Sequence, residues 1–354
     1  MNAAALDLTA LRHHGDVEAG EGLLDFAVNV RGSAPPRWLQ EALTERIGDL
    51  GRYPGAAEDR RARGQVARRH RRSPEEVLLL AGGAEGFALL PRLAPRLAAV
   101  VHPSFTEPEL ALREAGVPVR RVVLDEPYRL DPDRIPDDAD LVVVGNPTNP
   151  TSVLHPRETL LALRRPGRIV VVDEAFADAV IEERESVAGL SLPDVLVLRS
   201  LTKTWALAGL RVGYALGAPE VLARLAHGRP HWPLGTLQLA GIEACSTAEA
   251  TAAARRQAEL IETERAEMVA ALTAIGVRVH LPAAGPFLLL RVPGGERVRT
   301  ALRARGIAVR RCDTFPGLTA DHLRVAVRDP EQVRELVVAL NEIGCGTSHE
   351  REDH

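Results

Sequence analysis

The sequence predicts an α/β protein, with a mainly parallel sheet flanked by helices in a large domain and a smaller α/β C-terminal domain after it. Three observations carry this. Short runs of consecutive apolar residues recur at 77–80, 98–101, 141–144, 169–172 and 195–198. Stretches with helical spacing, such as 107–115 and 157–164, lie between them. A long helical pattern over 239–275 then gives way to a second alternation of strands and helices.

Each run has strand length and is apolar on successive residues, the pattern of a strand buried on both faces in a parallel sheet. Parallel neighbours need crossovers, and the intervening amphipathic stretches supply them. Beyond 275, strand-like runs at 277–281, 287–292 and 323–327 and a closing helix at 331–343 form the smaller unit. The expected organisation is an N-terminal segment over 1–34 packing near the small domain, a large domain over 35–238, a small domain over 239–345, and a disordered polar tail over 346–354.

Composition narrows the function classes. The 354 residues carry 44 Lys and Arg against 48 Asp and Glu, a formal net charge of -4. No basic field therefore points to nucleic acid or to an anionic membrane. No apolar run approaches the ~20 residues of a membrane-spanning helix. Residues 1–12 lack the basic-then-apolar order of a secretory signal. Cys245, Cys312 and Cys345 are too few and too scattered for a disulfide framework or a metal site, so free thiols in the cytoplasm and no metal are expected.

Ligands of a parallel α/β sheet sit beyond the carboxyl ends of its strands. Here those ends carry the informative polar residues. The run 141–144 leads into Gly145-Asn146-Pro147-Thr148-Asn149-Pro150, 169–172 into Asp173-Glu174-Ala175-Phe176, and 195–198 into Arg199-Ser200-Leu201-Thr202-Lys203. An amide, a carboxylate and an amine thus follow one another on three strand ends, and this trio meets the needs of pyridoxal 5'-phosphate. Lys203 offers an amine to its aldehyde. Asp173 can keep the ring nitrogen protonated, and the Asn149 amide can donate to the ring oxygen. Ser200, Thr202 and Arg211 stand near Lys203 in sequence and suit a phosphate. So does the turn Gly82-Gly83-Ala84-Glu85-Gly86, where Ala84, Glu85 and Gly86 open a helical pattern after the run 77–80. Taken singly, each has a plainer reading: a surface lysine, an aspartate cap, an asparagine turn. Together and in order, they favour the cofactor.

The stretch from Ser200 to Tyr214, with Lys203 and Arg211, resembles the lysine motif of the class I/II pyridoxal-phosphate-dependent aminotransferases, of aspartate-aminotransferase fold type I. Asn146–Thr151 is similar to that family's asparagine motif and Asp173-Glu174-Ala175 to its aspartate motif. Within the family, the chain looks most like histidinol-phosphate aminotransferase and the threonine-phosphate decarboxylase of cobalamin biosynthesis. Phe176 sits closer to the decarboxylase, since the aminotransferase usually has tyrosine there. The resemblance implies that Arg324 binds a substrate α-carboxylate, with Arg310, His14 and Asn29 as further substrate residues. It also implies that Tyr53, in Arg52-Tyr53-Pro54, reaches the cofactor phosphate of a neighbouring subunit, hence a homodimer. Two departures stand out. Pro108 occupies the place of an aromatic on the cofactor ring, and Arg31-Gly32-Ser33-Ala34 replaces an Asn-Pro-Leu-Gly opening, so that Arg31 either adds a cation to the substrate pocket or faces water. The expected activity is amino transfer from an α-amino acid or amino phosphate such as histidinol phosphate, with Lys203 as the general base. Decarboxylation of threonine phosphate, and cofactor binding without turnover, stand as the alternatives.

Overall fold

The computed structural model describes residues 8–345 apart from His14. The predicted tail over 346–354 and the candidate residue His14 lie outside the described residues. Thirteen strands occur among those described: β1 (Leu24–Asp25), β2 (Val77–Leu80), β3 (Ala98–His102), β4 (Val119–Val123), β5 (Leu141–Gly145), β6 (Ile169–Asp173), β7 (Val195–Ser200), β8 (Gly213–Leu216), β9 (Arg278–Val279), β10 (Phe287–Arg291), β11 (Ile307–Ala308), β12 (Arg310–Arg311) and β13 (His322–Ala326).

The large sheet has the order β2-β8-β7-β6-β5-β3-β4. β7, β6, β5, β3 and β4 run parallel, and β8 lies antiparallel between β2 and β7. All five predicted runs are strands of this sheet. The two that sequence reading missed differ physically from the rest. β4 is an edge strand whose arginines break the apolar run, and β8 falls inside the lysine motif.

Side chains alternate between the two faces of the sheet. Val142, Val144, Val170 and Val172 join one core with Val66 and Ala67 of the helix Ala56–His70 and with Leu239 and Ile242 of the helix Thr236–Cys245. Val143 and Val171 face a second core with Phe87, Leu112 and Leu225. A third core surrounds the four-stranded sheet β12-β13-β10-β9, and Phe26 belongs to it. β1 pairs in parallel with β11 beside that core.

The helical pattern over 239–275 is broken once. Thr236–Cys245 ends at Ser246, and Thr247 starts the helix Ala248–Ala274 by accepting from the Ala250 N–H at 3.1 Å. Ala250 and Ala254 lie in the core of the large sheet, whereas Met268 and Leu272 lie in that of the small one. One helix therefore runs from the first core into the second.

Candidate active site

The strand directions decide what meets. β8 is antiparallel, so its first residue, Gly213, pairs with both Leu80 at the end of β2 and Ser200 at the end of β7. Arg211, two residues upstream, is thereby delivered to the carboxyl edge that carries Asp173 and Lys203. Only small residues fit there. A Cβ on Gly213 would lie 2.6 Å from the Arg199 carbonyl oxygen and 3.2 Å from the backbone of Gly82 and Gly83. A Cβ on Gly82 would lie 3.0 Å from the Arg211 guanidinium. Beside this cradle, the Ser200 and Thr202 hydroxyls are hydrogen-bonded at 2.8 Å. The helix Gly83–Leu89 begins here, with differing uses of the predicted residues. Ala84 is exposed. The Glu85 N–H donates to the Gly82 carbonyl at 3.2 Å, and its carboxylate is held by Arg229 and the Ala81 N–H, so neither group of Glu85 faces the cradle. Gly86 is a packing residue, because a Cβ there would press on Leu198 at 2.9 Å.

Asp173 ends β6 in register with Gly145. Its carboxylate accepts from the Ala175 N–H at 3.1 Å, and the residue as a whole is half-buried. Burial pushes the carboxyl up to about 6, with the Glu174 charge adding to the rise, while the Ala175 hydrogen bond and the Lys203 charge oppose it. A cationic partner for this carboxylate would relieve that cost. Lys203 lines a small cavity together with Asn29, Phe176, Asp178, Gln257 and Ile261. Phe176 meets Phe287 edge-on with ring centroids 4.9 Å apart.

Arg324 on β13 reaches across from the small sheet and donates to Asn149 Oδ1 at 2.6 Å and to the Ala27 carbonyl. Its buried Nε has no partner. Burial, reinforced by the Arg310 charge, pulls this guanidinium down to about 9. Arg310 is the register partner of Arg324, but its donors are engaged by protein groups: the Arg311 carbonyl at 2.6 Å, the His13 carbonyl at 2.8 Å and Thr314 Oγ1 at 2.8 Å. It also lies over the Phe315 ring at 4.9 Å. Asn29 is buried, with an unpartnered Oδ1. Tyr53 stands apart from this group, 72% exposed and stacked on the 54%-exposed Trp232 at 4.2 Å. Pro108 is buried in the helix Glu107–Glu114, and Phe105 packs toward Phe87 at 5.8 Å. Of the two sequence expectations for Arg31, the structure favours the pocket: Arg31 lines the Lys203 cavity, with its guanidinium paired with Glu264 at 2.7 Å.

Sequence reading also missed a buried charge cluster behind Lys203. Arg199 is paired with Glu174 at 3.0 Å, with Glu183 at 2.7 Å and with Asp178; Arg69 reaches Asp178 at 2.8 Å and Glu183 at 2.9 Å. Thr204, next to Lys203, donates to Asp178 at 3.4 Å. The available signal was an arginine within an otherwise apolar strand, since a charge there demands buried partners.

An amine, a carboxylate with unrelieved burial, paired hydroxyls and a guanidinium over a glycine cradle fit pyridoxal phosphate in amine-bonding, ring-nitrogen and phosphate positions respectively. The fold and this donor set define a pyridoxal-phosphate-dependent aminotransferase. Residues 21–340 match the family model for aminotransferase class I and II, and the chain belongs to that family. It is 57% identical over 342 residues to a histidinol-phosphate aminotransferase of Mycobacterium tuberculosis, covering 96% of this chain and 93% of the relative. It is 30% identical to the threonine-phosphate decarboxylase of Salmonella typhimurium, covering 92% of each. The crystal structure of the histidinol-phosphate aminotransferase from Clostridium acetobutylicum superposes with a TM-score of 0.83 at 26% identity, covering 91% of this chain and 99% of that one.

Proposed function

We propose that the chain transfers the amino group of histidinol phosphate, or of a closely related amino phosphate, to a 2-oxo acid. The observation that carries this reading is the Arg324–Asn149 contact. It sets a buried guanidinium with a spare N–H beside the asparagine of the cofactor motif, where a substrate carboxylate or phosphate would meet a desolvated cation. The 57% identity to a histidinol-phosphate aminotransferase supports the choice of amine.

When bound, pyridoxal phosphate supplies an electron sink for the bond broken at the substrate α-carbon and a carrier for the amino group. Lys203 holds the cofactor and moves the proton at that carbon as general base. Asp173 keeps a proton on the ring nitrogen, and Asn149, fixed by Arg324, donates to the ring oxygen. Ser200, Thr202, Arg211 and the Ala84 backbone hold the phosphate. Asn29, Arg310 and His14 serve the substrate side, Arg310 by shaping the bed on which Arg324 lies.

We also infer two units, a large one bearing the cofactor and a small one bearing Arg324, joined by the helix Ala248–Ala274. A homodimer is inferred from the outward aromatic pair Tyr53 and Trp232, with Tyr53 reaching the partner's cofactor phosphate. No helix among the described residues is long and apolar enough to cross a membrane. With three free, buried cysteines, this supports a place in the cytoplasm.

Phe176 and the 30% identity to a threonine-phosphate decarboxylase favour a second reading, carbon dioxide release from threonine phosphate in cobalamin biosynthesis. One assay separates the two. Purified protein with pyridoxal phosphate is given histidinol phosphate plus 2-oxoglutarate, or labelled threonine phosphate. Glutamate formation from the first supports amino transfer; labelled carbon dioxide from the second, without glutamate, overturns it.

A further inference from the structure

Arg31 ties together three parts of the chain. Its backbone N–H donates to the Lys203 carbonyl at 3.0 Å. Its guanidinium is paired with Glu264 of the helix Ala248–Ala274 at 2.7 Å and reaches the Val327 carbonyl, just past β13, at 3.4 Å. The pair is largely withdrawn from water, with side chains 15% and 9% exposed. Glu264 sits on the helix's buried stripe, with Ile261 and Met268 one turn to either side. A carboxylate there is costly unless it is paired.

Asn29 lies two residues before Arg31 and lines the Lys203 cavity, its buried Oδ1 unpartnered. The chain on its other side is also held by an arginine. Arg328 donates to the Asp25 carbonyl at 2.9 Å and the Val28 carbonyl at 2.7 Å. Asn29 is therefore suspended between two anchors, Arg328 before it and Arg31 after it. Beyond Arg31, the exposed residues Gly32, Ser33 and Ala34 run along a cleft of about 850 Å³ that Arg31 and Glu264 also line.

We propose that the Arg31–Glu264 ion pair is a positioning device that holds Asn29 in the Lys203 cavity, where its amide recognises the amino substrate. The inference rests on the reading of Asn29 as a substrate contact. Arg31 lines the same cavity, but its guanidinium is engaged by Glu264 and the Val327 carbonyl, so the pair acts on Asn29 through the backbone. Loss of either partner frees the segment and leaves a buried charge unpaired, so the chief effect falls on substrate binding rather than on the chemical step.

The test compares Arg31→Gln, Glu264→Gln, Arg31→Lys and the swap Arg31→Glu with Glu264→Arg in the full chain. Amide hydrogen exchange at 28–31 is followed without substrate, and KM and kcat are measured with histidinol phosphate. Each glutamine variant is expected to speed exchange and raise KM roughly tenfold with kcat within about twofold, while the lysine variant and the swap recover most of both. Unchanged exchange and KM in the glutamine variants overturns the proposal, as does a swap or lysine variant no better than they are. Asn29→Ala is measured beside them. If it leaves KM unchanged, the reading of Asn29 fails; if it raises KM while the ion-pair variants do not, the positioning role alone fails.

Discussion

Arg324 Nη1 donates to Asn149 Oδ1 at 2.6 Å, joining a strand of the four-stranded sheet to the loop that ends β5 of the large one. This hydrogen bond orients the Asn149 amide with its N–H₂ turned away from Arg324. In the proposed reading, the residue that fixes the Asn149 amide toward the cofactor is thus also the one that meets the substrate.

Replacing Arg324 with leucine removes a buried cation and strands the Asn149 oxygen. The variant should lose about 100-fold or more in kcat/KM for histidinol phosphate. Arg324→Lys should recover little, because one ammonium cannot hold Asn149 and a carboxylate or phosphate together in the fork geometry of a guanidinium. Steady-state kinetics of the two variants checks this; parental kcat/KM in Arg324→Lys would be inconsistent with it.

Asp173 should cost the cofactor-free chain stability. Burial raises its carboxyl from 3.8 to about 6. Below about pH 3 the group is protonated whether folded or unfolded, so it contributes no penalty. As pH rises from about 3 to 6, only the unfolded chain ionises freely, and the penalty grows to about 1–3 kcal/mol before levelling off. Asp173→Asn should therefore raise the Tm of the cofactor-free protein at pH 7.5, match the parent near pH 3, and lose the gain from added pyridoxal phosphate. Thermal denaturation at the two pH values, with and without cofactor, measures all three effects.

The cluster behind Lys203 should behave in the opposite sense. Asp178 is the shared acceptor of Arg69 and Arg199, and Arg199 is fully buried. Asp178→Asn leaves two buried guanidinium groups short of a counter-charge and should cost about 3–5 kcal/mol in urea unfolding. A change under about 1 kcal/mol would show that Glu174 and Glu183 neutralise the pair without it.

Tyr53 and Trp232 stack at 4.2 Å while both remain open to solvent. If they face a partner subunit, Tyr53→Phe should weaken pyridoxal phosphate binding several-fold through one lost hydrogen bond to phosphate. Sedimentation should still show a dimer. Unchanged cofactor affinity would leave the pair as a packing contact only.

Much of the fold was legible in the sequence because parallel strands buried on both faces write themselves as unbroken apolar runs, and the residues after them form the candidate site. Lys203, Asp173 and Asn149 could be read that way, since chain order and strand ends coincide. Arg211 was placed by motif, but the reason it arrives, the antiparallel β8, was not visible. β4 was hidden because an edge strand tolerates Arg120 and Arg121. Glu264 and Asp178 were missed because their roles depend on partners 233 and 109 residues away, Arg31 and Arg69. The local clues were a charge on the buried stripe of Ala248–Ala274 for Glu264 and an arginine within the apolar strand β7 for Asp178. Arg31 looked like a solvent-facing or pocket cation for the same reason, that its carboxylate is distant in sequence.

The most direct test is to locate the covalent bond. The protein is incubated with pyridoxal phosphate, reduced with borohydride and digested, and the peptides are weighed by mass spectrometry. The pyridoxyl-phosphate mass is expected on the peptide containing Lys203 and absent from Lys203→Ala. Lys203 is the only lysine of the sequence, so a label on the N-terminal amine instead, or equal labelling of the alanine variant, would contradict the assignment of the site.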